Sequence, residues 1–351
     1  MACQYFCGFE TGLKPSLYVN TGSAATITID STVKNGGAYS LKLASTSSEW
    51  TLTGPSYTAG TNTDDMLCQV LFRTDTAPVT SAETFLTLAM GSGTFIDVVI
   101  NTNGSFQAYR STTAGAKTTS LGTSASSSLI STNTWYALWV RVKPATGSTG
   151  ICELWLNNVQ ILNVTAAVTS NGLSTTRTLT IGRPVFANGN VWLDDIVLAD
   201  STSGFCSGGT VPAPVKVETA LVPTSDSTVA WTPSAGGGNF AQVDEIPMAA
   251  TDYVSTTVSG TRDLYGVTDR PGGNTSAIQA VQATALAECA DPGVANLKVG
   301  IKVSASEVQS AASPLTSTAS HVSKIAEVDP NTGIAWTSSG VNAALLTIEA
   351  A

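Results

Sequence analysis

Charged side chains are scarce in this chain: Asp, Glu, Lys and Arg make up 12% of its 351 residues, about half the roughly 25% of an ordinary soluble domain. The 16 basic residues are outnumbered by 25 acidic ones, leaving a formal charge of −9. No Lys/Arg cluster interrupts that balance, which excludes a phosphate-tracking nucleic-acid groove and an anionic membrane surface as partners. Long apolar runs are also missing, since hydrophobic residues come in short, polar-interrupted stretches well under the roughly 18–20 needed for a membrane span. The start, Met1-Ala2-Cys3-Gln4-Tyr5-Phe6-Cys7-Gly8, has no basic region, apolar core or cleavage site of a secretory signal, so synthesis in a cytoplasm without general export is expected. The six cysteines are too sparse for a disulfide scaffold and show no zinc spacing.

What is present is β-rich: Ser, Thr, Gly, Ala and β-branched residues, with apolar alternation and turn signals recurring along the first two hundred positions. The alternation predicts strands over 24–30, 39–44, 66–73, 84–90, 95–101, 106–110, 135–143, 151–156, 179–182 and 191–198. Breakers such as Asn35-Gly36-Gly37, Asn103-Gly104 and Asn157-Asn158 fall between them. A Gly/Pro-rich stretch, Ser207-Gly208-Gly209-Thr210-Val211-Pro212-Ala213-Pro214, divides the chain. The expected organisation is a domain over 1–207, a linker over 208–218 and a second domain over 219–351. In the second domain strands are expected at 215–222, 253–258, 263–267, 278–287, 297–303, 321–328 and 345–349, with a short helix at 340–344 capped by Thr337-Ser338-Ser339. The Ser/Thr tract 118–128 contains Leu121 and reads as an ordered edge or loop. The fold class is all-β: two tandem β-sandwiches, the second smaller and carrying a short C-terminal helix.

Three segments of the first domain act together. Gly8-Phe9-Glu10 opens the first strand. The Trp-led segment Trp135–Val142 and Cys152-Glu153-Leu154-Trp155-Leu156-Asn157-Asn158 form a hairpin. Val191-Trp192-Leu193-Asp194-Asp195-Ile196-Val197-Leu198 closes the domain. As a set they resemble the concanavalin A-like, laminin-G-like jelly roll, with Asn157-Asn158 standing where that family usually has Asp-Gly. The second domain, with Trp231-Thr232-Pro233-Ser234, Asp263-Leu264-Tyr265, Asp329-Pro330-Asn331-Thr332-Gly333 and Trp336-Thr337, resembles a β-module of tailed-bacteriophage virion proteins. The resemblance implies a virion structural protein, decorating a capsid or forming part of a fibre or tail. Its partners would be copies of itself and other virion proteins, such as the major capsid or tail proteins. The alternative it leaves open is a receptor-binding protein or carbohydrate-binding module that recognises a host surface glycan.

The resemblance also implies a structural calcium held by Glu10 with Asp194 or Asp195. Strict alternation along 191–198 puts Val191, Leu193, Asp195 and Val197 on one face, so at least one aspartate falls on an apolar side and needs a partner. The competing expectation is that these aspartates simply accept backbone hydrogen bonds at a strand edge. Because first and closing strands of a jelly roll lie side by side, Cys206 comes near Cys3 and Cys7. Either pairing is an expected disulfide, against three free thiols.

Catalytic groups are thin on the ground. The sole histidine, His321, sits in the polar stretch 317–323 beside no motif. Glu153 and Glu83 stand outside the paired-carboxylate strand of glycosidases, and Gly236-Gly237-Gly238 lacks the Lys-Ser/Thr of a phosphate loop. No enzymatic activity is expected. Trp139, Trp155 and Trp192 fall inside alternating strands and are expected in the core, while Trp50 and Trp135 are the candidates for exposure.

Overall fold

The computed structural model describes residues 3–13, 19–21, 26–44, 51–78, 83–182, 189–201, 211, 213–218, 221–249, 251–272, 276–290 and 295–351. The chain divides into two compact units, Met1–Glu10 with Leu17–Glu218, and Thr11–Ser16 with Thr219–Ala351. No helix among the described residues is long and apolar enough to cross a membrane.

The first unit contains strands β1 (Cys3–Cys7), β2 (Val19–Thr21), β3 (Thr26–Asp30), β4 (Ser40–Ala44), β5 (Thr51–Thr58), β6 (Met66–Thr74), β7 (Glu83–Gly91) and β8 (Thr94–Ile100). They are followed by β9 (Phe106–Ser111), β10 (Thr119–Thr123), β11 (Tyr136–Lys143), β12 (Gly150–Leu156), β13 (Val159–Ala167), β14 (Thr176–Gly182) and β15 (Val191–Asp200). Two antiparallel sheets face each other as a jelly-roll sandwich. One runs β13-β12-β11-β6-β15-β4-β3 with β1 also on β15, and the other runs β10-β9-β8-β7-β14-β5-β2. The inward faces supply Leu41, Cys68, Val70, Phe72, Leu138, Val140, Leu154, Leu193 and Ile196 from the first sheet, and Leu86, Leu88, Ile96, Val98, Phe106 and Leu179 from the second. Phe72 and Phe85 meet across the gap at 4.8 Å. Each such buried side chain contributes about 1.5–3 kcal/mol. The β11–β12 hairpin pairs in full register, Leu138 with Leu156 and Val142 with Cys152. Asn157 and Asn158 both take positive φ, 49° and 68°, as a tight turn in place of Asp-Gly requires.

Two expectations for this unit need correction. β5, β10 and β13 lie where no strand is predicted beyond an ordered edge at 118–128: β10 and β13 are edge strands whose polar faces carry a weak alternation signal, and Gly54-Pro55 interrupts the pattern of β5. Trp139 and Trp192 are buried as expected and Trp155 is half-buried, but all three pack outside the inter-sheet cluster. They share parity with outward-facing neighbours: Trp139 pairs with Trp155 and with Gln69, and Trp192 lies under Lys42 and Arg73, whose charged groups stand 5.5 and 5.0 Å from its ring. Trp139 is nevertheless fully buried. Alternation identified the strands but not which of two covered faces is the core.

The second unit is a smaller sandwich. Its strands are β16 (Pro223–Thr228), β17 (Thr232–Pro233), β18 (Val254–Ser255), β19 (Arg262–Val267), β20 (Val281–Ala287), β21 (Asn296–Val303), β22 (Ser306–Gln309), β23 (Ser313–Pro314), β24 (Ser320–Ala326) and β25 (Ala344–Ala350). A sheet β16-β19-β25-β21-β22, with β23 on β21, accompanies the separate pairs β20-β24 and β17-β18. Tyr265, Val299, Ile301, Val322, Trp336 and Ile348 form its core. The helix expected at 340–344 forms two residues earlier, as α1 (Ser338–Asn342), and Thr337 caps it by accepting a hydrogen bond from the Gly340 amide at 3.0 Å.

The strand expected at 215–222 does not form; 214–218 has no regular structure and the strand begins at Pro223. The 208–218 stretch, expected as a Gly/Pro-rich linker, falls with the first unit in the division of the chain. Val215 and Val217 bond to that unit through side chains instead of a ladder.

Candidate cation site on the closing strand

β15 is flanked by β6 along one edge over its whole length. Along the other edge it changes partner: Val191–Leu193 pair with β4, and Ile196–Ala199 pair with β1. Asp194 and Asp195 lie at this seam, where the ladder with β6 also slips by one residue between Asp194 and Val197. The slip is a β-bulge, and Asp195 carries the positive φ, 44°, that accompanies it. The bulge overturns the alternation argument. Leu193 and Ile196 both enter the core, so the extra residue lets both aspartates leave the apolar face.

The seam is filled by the chain after β1 and by the turn before β4. Glu10 is 6% exposed and its Oε2 accepts a hydrogen bond from the Ala38 amide at 2.6 Å. The Asn35 amide donates to Asp194 Oδ2 at 3.0 Å, and its Nδ2 donates to Asp195 Oδ2 at 3.1 Å. Asp194 Oδ1 accepts from the Asp195 amide at 2.9 Å, and Asp195 Oδ1 accepts from the Val217 amide at 2.8 Å. Gly37 is required here: its φ is +54°, and a Cβ would collide with Glu10 Oε1. The Asn35-Gly36-Gly37 turn therefore lets a carboxylate approach the backbone more closely than any side chain would allow.

The structure thus brings Glu10, Asp194 and Asp195 together, and the aspartates do accept backbone hydrogen bonds, as the competing expectation held. Those bonds do not complete the cluster. Glu10 Oε1 is buried without a hydrogen-bond partner, at a cost that burial of a polar atom always carries. Burial, reinforced by the charge of Asp195, pushes the Glu10 carboxyl up to about 7. Burial and mutual repulsion push Asp194 up, with Glu10 adding to it, and burial pushes Asp195 up despite its bonds to Val217 and Asn35. Ionised together, the three need positive charge that exposed lysines supply poorly.

The donor set is all oxygen, the type a hard cation takes, but five of its six carboxylate oxygens already accept a hydrogen bond and only Glu10 Oε1 is left without a partner. Among the described residues no group of three or more His, Cys, Asp and Glu side chains already stands at metal-holding spacing. The carboxylates alone are therefore not a finished cage, and calcium completes its roughly six to eight oxygens with carbonyls and water. Of the contributing residues, Asn35 and Gly37 were visible as a turn signal. Ala38 and Val217 carried no signal, because backbone amides have no sequence signature.

Cys3 Sγ donates to the carbonyls of Tyr5 and Leu198. Cys7 is a free thiol that accepts a hydrogen bond from the Phe9 amide at 3.3 Å, and burial pushes it up to about 12. Cys206 lies outside the described residues, and with it the expected pairing to Cys3 or Cys7.

The catalytic candidates are engaged in the fold. Glu153 pairs with Arg141 at 3.2 Å, and Arg141 also holds Asp65 at 2.7 Å. For Glu83 only the backbone, in β7, is described. His321 sits on β24 opposite Leu286, and burial pushes its imidazole down.

No family model and no curated protein sequence matches the chain. Among solved structures it is similar to the cellulose induced protein Cip1 at 15% identity and a TM-score of 0.44, over 60% of this chain and 100% of that one. It is similar to the endo-β-1,4-glucuronan lyase of the fungus Trichoderma reesei at 14% identity and a TM-score of 0.43, over 58% of this chain and 97% of that one. A carbohydrate recognition domain, that of Emp46p, matches at 14% identity and a TM-score of 0.36, over 51% of this chain and 87% of that one.

Proposed function

We propose that this chain is a non-enzymatic structural protein of a bacteriophage virion, made in the host cytoplasm, that decorates the capsid or forms part of a fibre or tail assembly. Calcium held by Glu10, Asp194 and Asp195 staples its first sandwich. The observation that carries the reading is the use made of buried charge. Arg141 joins Asp65 and Glu153, and the fully buried Arg177 donates to the carbonyls of Met90, Ser174 and Asn62. Asp97 takes Thr87, Ser111 and the Gly115 amide, and Asp263 takes four donors of its own. These groups hold loops and strands in place. Low charge and abundant neutral surface support association with copies of itself and with other virion proteins.

Recognition of a host surface glycan is the second reading. It is supported by a shallow hollow on the first unit where Trp135 stands with Asn35, Asn157 and Lys216, an aromatic side chain beside amides and one cation. Immunogold labelling of particles, together with a glycan array probed with the full chain, separates the two. Even labelling of the capsid or shaft with no glycan retained is the expected result. Labelling confined to tail tips with retention of a defined glycan replaces the structural reading by the recognition reading.

A further inference from the structure

In the second unit Leu297, Val299, Ile301 and Val303 of β21 enter the core, so Lys298, Gly300 and Lys302 belong to the opposite face of the sheet. Gly300 pairs with Thr347 of β25 on one side and with Gln309 of β22 on the other, and directly opposed residues share a face. The missing side chain is replaced by these two neighbours. A Cβ on Gly300 would stand 2.5 Å from Thr347 Oγ1 and 2.9 Å from Gln309 Cγ. A hydroxyl and a carboxamide therefore meet over the glycine, although β21 separates their strands.

Glu307, two residues before Gln309 and on the same face, gathers both groups on one atom. Its Oε1 accepts from Thr347 Oγ1 at 2.7 Å and from Gln309 Nε2 at 3.0 Å, and Arg262 Nη2 donates to the same oxygen. Gln309 Nε2 also donates to Glu349 Oε2 at 3.2 Å. Lys298 and Arg262 stand 2.8 and 3.2 Å from that second carboxylate. With an acceptor-only carboxylate on either side, the amide has to present its nitrogen here. Despite burial, the bonds from Arg262, Thr347 and Gln309 hold the Glu307 carboxyl below the ordinary carboxylate range, so it is an ionised acceptor. Thr347 is fully buried. Nucleophile, base and leaving nitrogen joined through one oxygen, away from water, is the arrangement that acyl transfer requires.

We propose that Thr347 and Gln309 join in an intramolecular ester that bolts the C-terminal strand to β22 across β21. Thr347 Oγ1 attacks Gln309 Cδ while Glu307 takes the hydroxyl proton. The Cδ–Nε2 bond then breaks, its electron pair leaves with nitrogen, and Glu307 passes the proton to that nitrogen. Ammonia departs, the Oγ1–Cδ ester remains, and no further reactant is consumed. Exclusion of water from Thr347 protects the ester from hydrolysis. The bolt encloses the chain from 309 to 347, including β24 and α1, and so suits a protein whose task is to hold its shape.

The test weighs the full chain intact after ageing at neutral pH and then maps its peptides. The expected mass is one ammonia below that of the sequence, with a linked pair of peptides joining 306–309 to 344–351. Hydroxylamine should separate the pair, leaving a hydroxamate on residue 309 and a free Thr347. Thr347→Val removes the nucleophile and Glu307→Gln the base, and each should restore the full sequence mass. A folded parent of full sequence mass, with no linked pair, overturns the proposal without recourse to any variant. A deficit of one ammonia that persists in Thr347→Val overturns it too, because ring closure at an Asn-Gly pair such as Asn103-Gly104 gives the same loss with no link.

Discussion

Each unit buries carboxylates, and the two solve the problem differently. Asp263 of the second unit is fully buried and each of its oxygens takes two donors. The Ala230 and Trp231 amides, at 2.6 and 2.9 Å, bond to Oδ1. Asn239 Nδ2 and the Tyr265 hydroxyl, at 2.6 and 2.7 Å, bond to Oδ2. In the first unit three carboxylates share one seam and Glu10 Oε1 takes no donor at all. A single buried charge can be satisfied by neutral dipoles gathered from four residues. Three charges side by side repel one another as well as losing water, and dipoles alone do not offset both effects. The Asp263 arrangement is complete in the protein itself; the Glu10 cluster leaves one buried carboxylate oxygen without a donor.

The sharpest way to break this comparison is at Asp263. Asp263→Ala leaves two amides, an amide side chain and a hydroxyl without their acceptor, and should cost about 3–5 kcal/mol, read as a lower denaturation midpoint of the second unit. A loss under about 1 kcal/mol would show that the donors find other acceptors and that the contrast between the units is not real.

Next in size is the response of the first unit to calcium. At a free concentration about a hundred times Kd, calcium should stabilise it by about 2.7 kcal/mol, seen as a rise in its thermal midpoint that chelator reverses and Glu10→Gln abolishes. The cation-free unit sharpens the point through pH. Its carboxyls are raised in the folded state, so between the ordinary carboxylate range near pH 4 and about pH 7, where Glu10 titrates, the folded form binds more protons than the unfolded one. Stability without calcium should therefore fall as pH rises through that window, whereas saturating calcium should abolish the fall. A cation-free unit whose stability rises over the same window would contradict the buried, repelling cluster.

Smaller effects test the rest of the framework. Trp155→Ala should cost about 2 kcal/mol, less than the roughly 3–5 of an aromatic side chain removed from a core, because the ring packs on the outer face beside Trp139. Leu154→Ala, one residue away and inside, should cost more, and equal losses from the two would mean that the face assignment is wrong. Least of all, Thr337→Ala should cost about 1 kcal/mol through loss of the helix cap, confined to the unfolding transition of the second unit.

How much of the site was legible depended on the kind of signal each part leaves. Glu10, Asp194 and Asp195 stood out because acidic residues beside apolar strands violate a pattern, and Asn35-Gly36-Gly37 because a turn has its own composition. Their relation to one another did not. Counting alternate residues along 191–198 put Asp195 on the side of Leu193, and a single inserted residue reversed that from Ile196 onward. A bulge is invisible to a period-two pattern, since it changes the phase without changing the residues. The same limit affected Trp139, Trp155 and Trp192: alternation separates two faces, but large apolar residues occur on both when both are covered.

What the sequence by itself determined is local. Alternation, turns and a cap set the strands, the Asn157-Asn158 hairpin and the helix after Trp336, because each depends on neighbours a few residues away. Only the tertiary structure decided that β15 changes partner from β4 to β1 at Asp194, and that Glu10, Asn35 and Val217 converge there. Residues from 10 to 217 meet at one point only when two strands divide one edge between them. That division follows from the packing of the whole sheet, to which no short stretch of the chain is sensitive.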